Sequence, residues 1–267
     1  MVVDRLPLST TPLQATIVVE VPAGDAAVPR LELSEWAARH GVVAGITTRA
    51  GGFSLGLWSD EPAGQVMTRW RAFRRAFESR FPTVVISHQV HGTDLKWHAN
   101  PPPGWIVLEG VDGHATRDRG VLLAVTVADC IPVYLVAPER GLVALLHAGW
   151  RGVAGGILER SLGELTAATG ATCRDFVMHC GVGICGNCYE VGYEVSERVT
   201  GRPASTTPTY VDLRGLLAAR GAALGLRDVS ISAFCTAHHN DQFHSHRASR
   251  GADGRMVAYL GIPLPAT

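Results

Sequence analysis

The sequence predicts a single α+β domain, on three observations. Apolar β-branched runs and amphipathic stretches are interspersed along the chain, without an internal repeat, a low-complexity tract or a clean linker. The length, 267 residues, suits one mixed domain whose core needs no disulfide staples. Polar clusters stand at the ends of the apolar runs, where a rigid scaffold can present converging side chains.

Residues 1 to about 30 are rich in Pro, Thr and Ala and read as an irregular or strand-containing extension. A helix is expected over Leu33 to His40 with Ser34 as N-cap. A strand is expected over Val42 to Thr48, ended by the turn Arg49-Ala50-Gly51-Gly52. Gln65 to Arg80 has helical periodicity, with Trp70, Phe73 and Phe77 near one face and Pro82 as the stop. Strands follow over Val84 to Gln89, Gly104 to Leu108, Val121 to Val127, Pro132 to Val136 and Leu142 to His147. One helix is expected from Gly149 to about Thr169, then a strand over Phe176 to Gly181. The last elements are a helix over Val211 to Leu224 and strands over Val229 to Cys235 and Met256 to Ile262. Residues 1–40 are taken as an N-terminal extension and 41–267 as the main domain.

Twenty-four basic and 24 acidic residues give zero formal charge, which argues against nucleic acid or an anionic membrane as a partner. The chain start lacks an uninterrupted apolar h-region, and Asp129 and Pro132 break the most apolar stretch, so a cytoplasmic protein is expected. Monomer and homo-oligomer both stay open. Six cysteines in such a compartment read as thiols or metal ligands rather than a disulfide framework.

Three clusters carry the chemistry: His88-Gln89-Val90-His91-Gly92, Asp129-Cys130-Ile131-Pro132 and His147-Ala148-Gly149-Trp150-Arg151-Gly152. Polar groups closing a core strand need partners, because an unpaired buried polar group is costly. Two histidines and a cysteine, His91, Cys130 and His147, form a set suited to zinc with a fourth position open for water or substrate. The long spacing fits no zinc-finger pattern, so an ordinary core histidine beside an inert thiol is the competing reading. His91 is preferred to His88 because Gly92 lets the backbone turn. The turn at Gly149 opens a helix and, with Arg151, is a candidate anion site; a surface arginine beside a packed Trp150 explains the residues equally well. Arg49, His246 and Arg247 are candidates for lining an anionic or polar pocket. Asp112 reads first as a cap or turn residue and second as a substrate contact. Cys185-Gly186-Asn187-Cys188 reads first as a structural thiol cluster, second as a reversible disulfide, and third, with His179 and Cys180, as a second metal site.

Taken in order, HQVHG at 88–92, TVADCIPV at 126–133, HAGWRG at 147–152, GICGNCYEVG at 183–192 and the CT…SHR…GRM segment from Cys235 to Met256 resemble the YfiH-type laccase-domain family. The resemblance covers roughly residues 41 to 262. It implies an α+β fold of mixed sheets flanked by helices, likened to cysteine hydrolases. It also implies one zinc per chain on His91, Cys130 and His147, and purine nucleoside phosphorolysis with adenosine deamination as a second activity. The substrates would be phosphate and adenosine, inosine, guanosine or methylthioadenosine. Cys130, His147 and Arg49 are then the expected catalytic residues, and Gln89, Asp129, Arg151, His246 and Arg247 the expected substrate contacts. The family's Ser-Leu-Asn-Leu-Gly segment is absent after TTRAGGFS at 47–54, in a loop expected near the pocket, and His244 stands where Phe is usual. Rival readings are a metal-independent cysteine hydrolase, a copper-dependent polyphenol oxidase, and a non-catalytic scaffold that keeps zinc for stability.

Overall fold

The computed structural model describes residues 15–23, 27–203 and 209–265. The expectations for residues 1–14 lie outside them. In chain order the described strands are β1 Thr16–Val18, β2 Val21–Pro22, β3 Arg30–Glu32, β4 Val43–Thr47, β5 Thr83–His88, β6 Leu95–His98, β7 Gly104–Glu109 and β8 Gly113–Thr116. They continue with β9 Val121–Val127, β10 Ile131–Ala137, β11 Leu142–Ala148, β12 Val177–Cys180, β13 Glu190–Val191, β14 Thr209–Tyr210, β15 Asp228–Ser232 and β16 Met256–Gly261. The helices are α1 Ser34–His40, α2 Ala63–Phe77, α3 Trp150–Gly155, α4 Ile157–Thr169, α5 Tyr193–Thr200 and α6 Leu213–Ala223.

Two seven-stranded mixed sheets form the centre. The first runs β1-β15-β12-β10-β11-β8-β6 and the second β2-β3-β4-β16-β9-β5-β7. Side chains alternate between two buried faces, which is why these strands read as continuous apolar runs. Val136, Val143 and Leu145 of the first sheet pack against Leu123, Val125 and Ala258 of the second. The opposite face of the first sheet, with Val133, Leu135 and Leu146, packs against Leu158 and Leu162 of α4 and Leu217 of α6. The opposite face of the second, with Leu122 and Tyr259, meets Trp70, Phe73 and Phe77 of α2. The result is a four-layer helix–sheet–sheet–helix arrangement, the expected α+β class of mixed sheets flanked by helices. Truncating a fully buried Phe73 or Phe77 would cost roughly 3–5 kcal/mol.

Local details differ from expectation where backbone geometry decides. Ser34 is the first helical residue of α1, and Leu33 occupies the cap without a side-chain bond. The helix expected from Gly149 to Thr169 is two helices, because Gly156 adopts a left-handed φ of 77° between α3 and α4. Helix α2 ends at Phe77, well before Pro82. The described part of the N-terminal segment is built into the fold. β1 edges the first sheet on β15, and β3 pairs with β4 in the second. Glu20 meets the ring of His179 and accepts a hydrogen bond from Ser232. No helix among the described residues is long and apolar enough to cross a membrane.

Candidate active site and metal centre

The site forms where neighbouring ends of the two sheets meet. His91 follows β5 of the second sheet, Cys130 lies where the chain passes from β9 to β10, and His147 is near the end of β11. The candidate ligand atoms of the three lie within 4.8 Å of one another. The imidazoles of His91 and His147 meet edge to face, with centroids 4.8 Å apart. Burial is graded: His147 is buried, Cys130 half-buried and His91 exposed.

Strand register explains the convergence. The β10–β11 ladder pairs Ile131 with Ala148, which brings Cys130 beside Gly149. A Cβ at Gly149 would stand 2.9 Å from His91 Cδ2 and 3.0 Å from Cys130 Sγ, so a side chain there would fill the space between the two. The β8–β11 ladder pairs Gly113 with Leu146 and so sets Asp112 against His147. His147 donates its backbone N–H to Asp112 O at 2.8 Å and its Nδ1–H to Asp112 Oδ1, also at 2.8 Å. That bond turns Nε2 toward Cys130 and His91, the carboxylate–histidine arrangement that orients metal-ligating imidazoles.

Asp112 also organises His91. Its carboxylate accepts backbone N–H bonds from Val90 at 3.2 Å, His91 at 3.0 Å and Gly92 at 2.7 Å. The left-handed residue in this loop is His91 itself, at φ 61°, rather than Gly92. Three N–H donors on one carboxylate offset the roughly 1–3 kcal/mol such a backbone costs. Sequence reasoning took Asp112 for a cap or turn residue, because its partners lie on another strand and another loop.

Burial alone would keep the Cys130 thiol protonated. The adjoining His147 imidazolium outweighs it, and hydrogen bonds from His147 and His91 help bring the group down to about 6. Burial likewise lowers His147, but the Cys130 thiolate and the Asp112 hydrogen bond raise it to about 9. Burial raises Asp112, and its bonds to His147 and to Gly92 N–H bring it below the usual carboxylate value. Once the Nε2 proton of His147 gives way to a metal, the donor set would be one thiolate and two imidazoles, chemistry that fits a borderline-soft divalent ion.

A cavity of about 500 Å³ opens over these residues, a size usual for small-molecule sites. Its lining includes Gln89, Asp129, Arg151, His246 and Arg247, together with Trp58, His88, Trp150, Tyr189 and Arg255. The loop that lacks the family's segment contributes Gly56, Leu57 and Trp58. Trp58 stacks on His88, with centroids 4.8 Å apart, and His88 is in turn hydrogen-bonded to Glu109.

Several expected contacts are already engaged within the protein. Gln89 Oε1 accepts from Thr126 N at 2.7 Å, and its Nε2 donates to Thr126 O at 2.9 Å, clamping the His91 loop to β9. Asp129, left-handed at φ 84°, accepts bonds from Thr236 Oγ1, Ser245 Oγ and the backbone N–H of Arg247. Its carboxylate thus fixes the loop that presents His246 and Arg247. Arg247 donates to Glu190 O at 2.6 Å and lies over the Tyr189 ring at 5.3 Å. Arg151 lies over the ring of Trp150 at 4.4 Å. Its helix α3 is only six residues long, so anion attraction rests more on side-chain charge than on a macrodipole.

Arg49 is not brought to the cavity. Its guanidinium donates to Asn240 O at 2.8 Å and pairs with Asp253 at 3.5 Å, behind the loop. Arg255 lies in the lining instead, its guanidinium held by Asp253 O and Gly254 O. Sequence reasoning missed Arg255 although it stands in the quoted GRM motif. Nothing local distinguishes a motif arginine that faces a cavity from one that braces a loop.

The sequence profile of the multi-copper polyphenol oxidoreductase laccase family matches residues 43–263. The chain belongs to this family. It is 34% identical over 247 residues to purine nucleoside phosphorylase YlmD of Geobacillus stearothermophilus, covering 83% of this chain and 90% of the relative. It is 37% identical over 215 residues to purine nucleoside phosphorylase ORF3 of Streptomyces griseus, covering 78% and 85%. A shorter match, 36% over 167 residues and covering 58% and 63%, is to adenosine deaminase RL5 of an unknown prokaryotic organism. The crystal structure of YlmD superimposes with a TM-score of 0.82 at 30% identity, covering 91% of this chain and 98% of that one. These relatives support an enzyme, with a Cys/His cluster able to hold a metal at the foot of its cavity.

Proposed function

We propose that this protein is a cytoplasmic, zinc-dependent purine nucleoside phosphorylase with adenosine deaminase activity. The observation that carries the reading is the convergence of His91, Cys130 and His147, backed by Asp112, at the foot of a cavity in a chain whose relatives include named purine nucleoside phosphorylases. Zinc bound there would act as a Lewis acid and would lower the pKa of a coordinated water.

The residues of the chain supply the rest. Asp112 holds the Nδ1 proton of His147 and fixes the His91 backbone, so the ligands are set before substrate enters. Trp58, stacked with His88, and the ring of Tyr189 offer flat faces for a purine. Burial and the nearby Cys130 thiolate push the Tyr189 phenol up to about 12, so it stays a hydrogen-bond donor at neutral pH. Arg151, Arg247 and Arg255 gather positive charge around the cavity, suited to orienting phosphate. In phosphorolysis a phosphate oxygen bonds to C1′ as the C1′–N9 bond breaks, leaving ribose 1-phosphate and the base. Fixed guanidinium groups favour that displacement by positioning phosphate and matching its charge.

A relative named adenosine deaminase favours the second activity, in which water replaces the 6-amino group and ammonia leaves. The tuned Cys130–His147 pair would by itself also suit a metal-independent cysteine nucleophile. A nucleophile–base pair needs neither a third converging ligand in His91 nor the open space that Gly149 preserves, which favours the metal reading.

Adenosine turnover with and without phosphate, followed chromatographically before and after chelation and zinc return, tests the proposal. Phosphate-dependent adenine release that disappears on chelation and returns with zinc is expected. Undiminished activity after complete metal removal would overturn it and promote the cysteine hydrolase.

A further inference from the structure

A second constellation lies outside the cavity. Cys185 and Cys188 stand in the loop after β12, and Cys235 and His238 in the loop after β15. Their candidate ligand atoms all lie within 4.8 Å of one another. His238 is 3.6 Å from Cys185 Sγ at Nδ1 and 3.2 Å from Cys188 Sγ at Nε2. A tetrahedron with Zn–S of about 2.3 Å and Zn–N of about 2.0 Å has ligand–ligand edges of roughly 3.5–3.8 Å; the 3.6 Å separation at Nδ1 falls on that edge, so Nδ1 is the nitrogen suited to ligate. The sequence supplies Cys-Gly-Asn-Cys on one loop and Cys-Thr-Ala-His on the other, two knuckles with two residues between each ligand pair.

The backbone is arranged to suit. Cys185 N–H points at Cys235 Sγ from 3.3 Å, a donor that favours the thiolate. The loops are joined by the Gly183–Cys235 bridge and by Thr236 N–H donating to Gly183 O at 3.1 Å. The thiols have no S–S bond among them. The partners expected for a second metal, His179 and Cys180, point elsewhere: His179 bonds Ser230 and Glu20, and Cys180 lies in the core beneath the helices.

We infer that Cys185, Cys188, Cys235 and His238 form a structural zinc site of the three-cysteine, one-histidine type, separate from the centre at His91, Cys130 and His147. Four protein ligands complete a tetrahedron and leave no position for substrate, which marks a structural rather than a catalytic site. Binding releases the thiol protons and joins two loops that are otherwise about fifty residues apart in sequence. The joined loops lead into Tyr189 on one side and, through Thr236, into the Asp129 hub that fixes Arg247 on the other. The ion therefore braces one wall of the cavity.

The test uses the full chain purified without chelator. Elemental analysis is expected to show one zinc equivalent less in His238→Ala and in Cys188→Ser than in the wild type. Whatever the first centre holds stays in place, and His91→Ala leaves this site loaded. Because a cysteine variant can misfold, zinc X-ray absorption on the wild type gives an independent reading: about two sulfurs per zinc on average when both centres are filled. Thiol titration after denaturation and chelation is expected to find all six cysteines free. Unchanged zinc in folded His238→Ala, about one sulfur per zinc, or two thiols missing to a Cys185–Cys188 disulfide would each overturn the inference.

Discussion

The two Cys/His clusters are built from the same donor types for different ends. The cavity cluster has three donors, each from a different sheet end or crossing, and a buried carboxylate behind one of them. The loop cluster has four donors in two short knuckles, and among the described residues no carboxylate is hydrogen-bonded to its histidine. The difference teaches what a metal would cost and supply in each place. Three ligands at or just beyond the ends of paired strands are held by the fold itself, and an ion there serves chemistry. Four ligands on two loops tied by a few backbone bonds are cross-linked by an ion, which there serves structure.

The largest effect should come from filling the space at Gly149. Gly149→Ala drives a methyl against His91 and Cys130, and displacement by about an ångström is expected to cost on the order of 100-fold in kcat/KM. Elemental analysis should show loss at the cavity cluster alone. Loss at the loop cluster as well would mean the two are not independent.

Asp112→Asn should follow. An amide cannot accept from three backbone N–H groups and His147 together, so metal affinity at the cavity should fall about 10–100-fold. Titration against a chromophoric chelator measures it. An unaltered affinity would reduce Asp112 to a loop brace.

Graded chelation sharpens the contrast. The three-ligand centre should empty first, abolishing activity with little change in Tm. Emptying the four-ligand centre should lower Tm by about 5–10 °C, the drop expected when a chain of this size loses a few kcal/mol. Simultaneous loss of activity and Tm would contradict the division of labour.

Acid should weaken the strand behind Asp112. Burial, reinforced by Lys96, lowers His98 to about 4, and burial lowers its neighbour His114 to about 3. Both values lie below the unfolded value of about 6.5, so the unfolded chain binds more protons in acid. Stability is complete above pH 6.5 and falls as pH drops toward 4, by about 2 kcal/mol per histidine between pH 7 and 5. Urea unfolding at both pH values, with His98→Gln and His114→Gln as flatter controls, checks the slope.

The smallest expected effect lies on the cavity wall. Trp58→Ala removes one stacking face and should raise KM for nucleoside roughly fivefold, about 1 kcal/mol, with kcat nearly unchanged. A kcat loss without a KM change would move Trp58 from binding to the chemical step.

Much of the fold was legible in the chain. Buried strands such as Val121–Val127 and Leu142–Ala148 announce themselves as apolar runs, and α2 shows its Trp70-Phe73-Phe77 face, because periodicity records which side chains are buried. The short strands β3, β6, β13 and β14 and helix α5 were not legible, since two to eight residues carry too little period. Of the site, the sequence by itself identified donor types: imidazole and thiol at strand ends, and a Cys-x-x-Cys in a loop. Tertiary structure decided partnership. The β8–β11 register set Asp112 against His147, the packing of loops joined Cys235 and His238 to Cys185 and Cys188, and the cavity took Arg255 while Arg49 was turned to Asp253. Chemical type is written residue by residue. Proximity between residues tens of positions apart depends on ladder register and layer packing, which many side chains fix together.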